Sequence, residues 1–191
     1  MIRKPVEHTG QTAALIIPSH LINNSNFLNM EVAKNFINNG VKDMKAQTTI
    51  FAALAEVNGK KPTKKQLTPH VAELLEYLDT YGFTTALVMD AAYFKFLTGL
   101  AFESSVGITA SCIIEGYEHI VCAPLINPLV VKQRAAKGPL ATKAFKIASE
   151  IMLGTYEELA PFEFSIYEQL TDIQQMEQCL AYLMQYEELA Y

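Results

Sequence analysis

Short apolar runs alternate with amphipathic segments between residues 13 and 153, and this alternation constrains the fold more than any other feature. The first run, Ala-Ala-Leu-Ile-Ile at 13–17, is stopped by Pro18, which is typical of a buried parallel strand. Similar runs, together with β-branched and aromatic residues, predict strands at 13–17, 48–54, 84–89, 111–114 and 119–123. Apolar residues at helical spacing predict helices at 27–39, 69–81, 91–97 and 139–153.

Local signals predict where two of these helices begin. Thr68-Pro69 has the pattern of a helix start, with Thr68 as N-cap and Pro69 in the first helical position. Asp90 is predicted to cap the helix after strand 84–89 and not to act as a catalytic acid. Strands that alternate with helices predict an α/β fold, a three-layer α/β/α domain over residues 1–153 with a mostly parallel central sheet. The last two strands are expected to form a hairpin.

The closing stretch has a different character. Residues 154–162, with Gly154 and Pro161, are predicted to be a linker. Residues 163–191 are predicted to form a strand, a helix and the beginning of another strand at 189–191. Because this last strand begins only at residue 189, we expect residues 163–191 to lead into a further domain.

The lengths of the apolar runs and the spacing of the cysteines limit the classes of protein to which this chain could belong. The chain has 191 residues, half of them hydrophobic, but no run of about 18 apolar residues, so no membrane span and no membrane partner are expected. The three cysteines, Cys112, Cys122 and Cys179, are widely spaced and form no CxxC pair. Buried, inert thiols in a reducing compartment are expected, with no metal site and no cofactor in this segment.

Charge is distributed unevenly along the chain. Residues 1–146 contain all fifteen Lys and Arg and eleven Asp and Glu, a net charge of +4. Residues 147–191 contain nine acidic residues and no Lys or Arg, a net charge of −9. The first part could therefore face a phosphate backbone, whereas the acidic tail is expected to lie away from one.

Two groups of basic residues are candidates for nucleic-acid contacts. They are predicted to lie in loops next to helix starts, where amide donors and positive charge suit phosphate. A merely solvated surface is the alternative interpretation. The candidate residues are Lys60, Lys61, Lys64, Lys65, Lys132, Arg134 and Lys137.

Polar segments follow the first and the last predicted strands, where open α/β sheets bind ligands. Ser19, His20 and Asn23 follow the first strand, and Asn127 follows the last. These residues either cap their own turns or line a working or vestigial pocket for a base. No G-x-S-x-G, Walker A or G-x-G-x-x-G motif occurs, and no catalytic residue is predicted.

The order of segments between about 13 and 153 resembles the uracil-DNA glycosylase superfamily. Residues 58–67 are similar to that family's R-x-P-T-x-x-E segment, and residues 122–129 stand where it carries His-Pro-Ser. Pro18-Ser19-His20 lacks the glycine and the acid of the family's first motif, and Asn127 replaces its histidine. The resemblance therefore implies a glycosylase-like fold that has lost catalysis.

Residues 86–191 resemble the N-terminal region of family A DNA polymerases of T-five-like tailed phages. Residues 164–167, 170–176 and 188–191 are similar to the lead-in to their 3′–5′ exonuclease domain. The resemblance implies a non-catalytic accessory domain in the cytoplasm of an infected bacterial host. Its partners would be primer–template or single-stranded DNA, the rest of a polymerase chain with exonuclease activity, and a replisome protein.

Two other functions stay open. One is a module that recognises or excises uracil in DNA through Ser19, His20, Asn23 and Asn127. The other is a stand-alone phage interaction protein that docks through the apolar stripe of its acidic tail, at Ile173, Met176, Leu180, Leu183 and Met184.

Overall fold

The computed structural model describes residues 13–56 and 61–157, and the single residue Glu177. The chain divides into two units, residues 1–156 and 157–191, and the fold below is that of the first. Lys60, Cys179 and the strand–helix–strand prediction for 163–191 lie outside the described residues.

Five strands form one sheet in the order β2-β1-β3-β5-β4. The strands are β1 (Ala13–Pro18), β2 (Thr48–Ala53), β3 (Thr85–Val88), β4 (Ala110–Ser111) and β5 (Val121–Pro124). The first four strands in that order pair in parallel, and only β4 is antiparallel, to β5. The prediction of a mostly parallel sheet is confirmed. The hairpin is much shorter than predicted, since β4 contributes only two residues to it.

β1 lies inside the sheet, between β2 and β3, and both of its faces are covered. Residues 13–17 are completely buried, and successive side chains point to opposite faces. Ala14 and Ile16 belong to one hydrophobic core, whereas Leu15 and Ile17 belong to a second core on the other face. A strand that is covered on both faces reads as a continuous apolar run, which is why 13–17 could be identified.

Within residues 13–56 and 61–157, six helices cover these two faces. They are α1 (Ala33–Asn38), α2 (Met44–Gln47), α3 (Lys64–Thr80), α4 (Ala91–Thr98), α5 (Pro128–Gln133) and α6 (Gly138–Leu153). A π-helical turn at Phe27–Val32 leads into α1, and 3-10 turns lie at Ser19–Leu21, Glu103–Ser105 and Ala135–Lys137. None of the helices in the described part of the chain has the length and apolar character needed to cross a membrane.

The helices sort onto the two faces by their buried residues. α3 and α4 pack on the face of Ile16, through residues such as Leu74 and Phe94. α1 and α6 pack on the opposite face, where Phe36 and Phe145 meet edge to face with ring centroids 5.2 Å apart. Burying each such ring stabilises the fold by roughly 1.5–3 kcal/mol. The predicted three-layer α/β/α arrangement is therefore confirmed.

α3 begins earlier than predicted. Its N-cap is Thr63, and the side chain of Gln66 accepts hydrogen bonds from the Thr63 backbone N–H (2.9 Å) and hydroxyl (2.8 Å). The prediction that Thr68 caps this helix was wrong, because Thr68 lies within it and its hydroxyl donates to the Lys64 carbonyl. Pro69, inside the helix, has no N–H to donate to the carbonyl four residues earlier.

Both ends of α4 follow their predicted signals. The Asp90 carboxylate accepts hydrogen bonds from the backbone N–H groups of Ala92 (2.9 Å) and Tyr93 (3.0 Å), which confirms its role as an N-cap. Gly99 ends the helix with φ of 74°, a left-handed conformation that costs glycine little.

Candidate nucleic-acid interface

The parallel strands bring the predicted site residues to one edge of the sheet. Ser19 directly follows β1, Asp90 follows β3 by two residues, and Asn127 follows β5 by three. The connection that leaves β2 leads to Lys64 at the start of α3. Because these strands run in parallel, their carboxyl ends meet at the same edge, which is where α/β folds bind ligands.

Lys61, Lys64 and Lys65 form what we call the α3 basic cluster. All three are exposed, and Lys64 and Lys65 occupy the first two positions of α3, so they are helical rather than in the loop that was predicted. The first turn of α3 contains no acidic residue. No ion pair of these lysines is present within 13–56 and 61–157.

The position of the α3 basic cluster strengthens its field. A helix N-terminus carries a partial positive charge, so a lysine there disfavours the helix by about 0.3–1 kcal/mol. The positive charges of these lysines add to the partial positive charge that the helix dipole places at the first turn. The result is a surface suited to phosphate oxygens.

Lys132, Arg134 and Lys137 form the α5–α6 basic cluster, and two of its three charges are already paired. Lys132 Nζ forms an ion pair with the Glu31 carboxylate, and Lys137 Nζ donates to both oxygens of Glu103 at 2.7 and 2.9 Å. Arg134 is exposed and has no ion pair within the described ranges. Only a fraction of this predicted phosphate surface is therefore free.

The four residues of the predicted base pocket have different surroundings. His20 and Asn23 are exposed, and Ser19 is half-buried in a 3-10 turn. Asn127 caps α5, a helix that was not predicted: its Oδ1 accepts from the Leu129 backbone N–H at 2.9 Å. That bond uses one of the two lone pairs of Oδ1 and fixes the orientation of the Asn127 amide, whose nitrogen can still donate to a ligand.

A hydrogen-bonded pair that sequence reasoning missed ties α3 to α4 at this edge. The Tyr93 hydroxyl accepts from the Leu54 backbone N–H (2.9 Å) and lies 2.9 Å from His70 Nδ1. Burial raises the pKa of Tyr93 to about 12, so the hydroxyl keeps its proton near neutral pH, and the tautomer of His70 determines which of the two groups donates. Burial also lowers the pKa of His70, which favours its neutral form. The pair fixes the N-terminal half of α3, and with it the α3 basic cluster.

The thiols of Cys112 and Cys122 are buried, as predicted. Burial raises the pKa of both thiols, that of Cys122 to about 12, so neither ionises near neutral pH. In the part of the chain that the structure describes, no three His, Cys, Asp or Glu side chains are grouped to hold a metal ion.

Two comparisons with known proteins give no relative from which a role could be transferred. No protein-family model matches this chain. A search of curated proteins also finds no match to its sequence.

Proposed function

We propose that this chain is a non-catalytic accessory region of a phage replicative DNA polymerase, which binds DNA through the α3 basic cluster. The observation that supports this most is the set of three exposed lysines, unpaired within the described residues, at a helix N-terminus. A phosphate backbone is the polyanion that such a surface suits, because binding releases condensed counterions from the nucleic acid.

The fold is compatible with the glycosylase-like domain in this proposal. The domain has three layers and a mostly parallel sheet, and the residues after β1 and β5 stand at its carboxyl edge. At the position of the glycosylase family's acid, this chain has Pro18-Ser19-His20. Asn127, in place of the family's histidine, uses its Oδ1 as a helix cap. Both features favour a role in binding over base excision.

The test is an anisotropy titration of the full chain with fluorescein-labelled primer–template and with single-stranded DNA across a range of salt concentrations. The variant is the triple charge reversal K61E/K64E/K65E. Since each phosphate contact contributes about 0.9 to the slope of log K against log salt, losing three contacts should flatten the slope by up to about 2.7. Affinity at low salt should fall by at least about tenfold.

The matched control is K34E/K42E/K45E, which makes the same change in net charge. These three lysines are exposed and lie on or near α1 and α2, away from the carboxyl edge. DNA affinity that falls equally in both triple variants, or in neither, would rule out the α3 basic cluster as the binding surface. An assay for abasic sites on uracil-containing DNA checks the excision alternative, and we expect no product.

A further inference from the structure

An open apolar groove of about 740 Å³ lies between α3 and α4. On α3 it is lined by Leu67, Val71 and Leu75, which recur every four residues and so share one side of the helix. Phe96 of α4 and Tyr117, between β4 and β5, contribute aromatic rings. Volume and lining are both typical of a binding site, and the proposed DNA surface accounts for neither.

The groove is preformed in the fold. Leu67, Val71 and Leu75 are at most 5% exposed and also pack into the core between the helices and the sheet. The hydrogen bond between Tyr93 and His70 joins the two helices directly. A ligand would therefore meet a groove whose sides are already in place, and would not have to separate packed helices.

Among the described residues, Lys64 and Lys95 are the charged side chains that line the groove, and no acidic side chain of this part of the chain lines it. Both lysines are exposed, and within 13–56 and 61–157 neither forms an ion pair. Glu115 and Glu118 are exposed in the turn beside Tyr117. Lys64 thus marks the end of the groove where α3 begins, Lys95 lies along the groove in the last turn of α4, and the opposite end adjoins an acidic turn.

The orientation of this polarity follows from the topology. α3 and α4 both start at the carboxyl edge of the sheet, so Lys64 lies at that edge. The turn with Glu115 and Glu118 precedes β5 and lies at the amino edge. From Lys64 to Leu75 the α3 side of the groove spans about 16 Å, the length of three helical turns.

We propose that this groove binds a short acidic amphipathic helix of a protein partner. The apolar stripe of such a helix would cover the partly exposed Ala92, Phe96 and Tyr117, and its acidic residues would face Lys64 and Lys95. Ile113, which also lines the groove, is 62% exposed, and a bound helix would remove it from water. Nucleic acid is disfavoured because its phosphates would have to lie against apolar side chains. The proposal is independent of DNA binding and shares only Lys64 with it.

The test uses the full chain and a fluorescein-labelled helical peptide of about twelve residues, with Leu at every fourth position and Glu elsewhere. Saturable binding in an anisotropy titration is expected. Ala72→Glu places an acid at an exposed position of the groove, and Glu is a good helix former, so the fold should persist. Ala72→Glu and Lys95→Glu should each weaken peptide binding by at least about tenfold. Lys34→Glu, on α1, should leave it unchanged.

Two single variants separate this site from the proposed DNA surface. Lys95→Glu should weaken the peptide and leave DNA affinity unchanged, since Lys95 is not part of the α3 basic cluster. Lys65→Glu should do the reverse, because Lys65 does not line the groove.

Four results would overturn the proposal. The first is the absence of saturable binding. The second is equal affinity for a control peptide with Lys in place of Glu. The third is unchanged binding in both groove variants, with folding verified by thermal melts. The fourth is a wild-type dimer in solution that Ala72→Glu converts to a monomer, which would identify a second copy of this chain as the occupant.

Discussion

The two basic clusters have the same formal charge and different surroundings. The α3 basic cluster has no acidic partner within the described residues, whereas the α5–α6 basic cluster faces Glu31 and Glu103. Those acids lie 101 and 34 residues away from their lysines along the chain. A run of lysines in a sequence is therefore not yet a positive surface, because its field depends on residues that the fold brings opposite.

The clusters also differ in how they are held. The α3 basic cluster depends on neutral hydrogen bonds, through Gln66 at the helix start and through Tyr93 and His70 one turn further on. The α5–α6 basic cluster is held by ion pairs at the surface, which typically contribute 0–1 kcal/mol each and weaken in salt. Glu31 and Glu103 thus affect the electrostatic potential of the α5–α6 basic cluster more than the stability of the fold. Removing these acids should change DNA binding, whereas removing the hydrogen bonds near the α3 basic cluster should change the stability of the fold.

The largest expected effect is on the anchor of α3. Tyr93→Phe leaves the partly buried Leu54 N–H without its acceptor and should destabilise the fold by about 1–3 kcal/mol. Urea unfolding measures this difference. Tyr117→Phe is the control, since the Tyr117 hydroxyl makes no hydrogen bond within 13–56 and 61–157, and it should change stability little. Equal stability of the two variants would show that the Tyr93 bonds do not hold α3.

A smaller effect on DNA binding is expected when the acidic partners of the α5–α6 basic cluster are neutralised, so that its lysines are unpaired like those of the α3 basic cluster. Glu31→Gln combined with Glu103→Gln frees Lys132 and Lys137 without changing side-chain shape. If both lysines then reach phosphates, the salt slope of DNA binding should steepen by up to about 1.8, and affinity at low salt should rise several-fold. Stability should change by less than about 1 kcal/mol. An unchanged slope would mean that this cluster lies outside the DNA path.

The smallest expected effect is a pH dependence of the stability of the fold, which arises from His70 in α3. Burial lowers the folded-state pKa of His70 below its usual value of 6.5, so between the two values the unfolded chain binds more protons. The contribution of His70 to stability is therefore full above pH 6.5 and falls as the pH drops toward the folded pKa. Urea midpoints measured from pH 7.5 to 5.5 should fall, and His70→Gln should flatten that decline. His20→Gln, at an exposed position, should leave it intact.

Much of the fold could be predicted because its signals are local. The apolar run at 13–17 is explained by burial on both faces of the sheet. Asp90 caps the start of α4 and Gly99 its end, both through contacts within a few residues. The start of α3 was mispredicted because the sequence offers two local signals. Thr68-Pro69 is the more familiar one, but the pairing of Thr63 with Gln66 determines the helix start.

Less of the candidate site could be predicted, since it depends on contacts distant in sequence. Lys132 and Lys137 appeared free because Glu31 and Glu103 are not near them along the chain. The hydrogen bond from Leu54 to Tyr93 spans 39 residues, and nothing near either position indicates it. The groove arises only when α3 and α4 lie side by side, and no signal within either helix indicates it.

The reaction rates of the buried thiols Cys112 and Cys122 measure how often the domain opens. Cys122 lies on β5 and is fully buried, and its pKa near 12 leaves almost no thiolate at neutral pH. A thiol reagent can react with it only during the moments when the sheet opens. The rate of that reaction therefore measures how often the core opens. Cys112 directly follows the short strand β4. The ratio of the two reaction rates therefore compares local opening at this edge of the sheet with opening of the core.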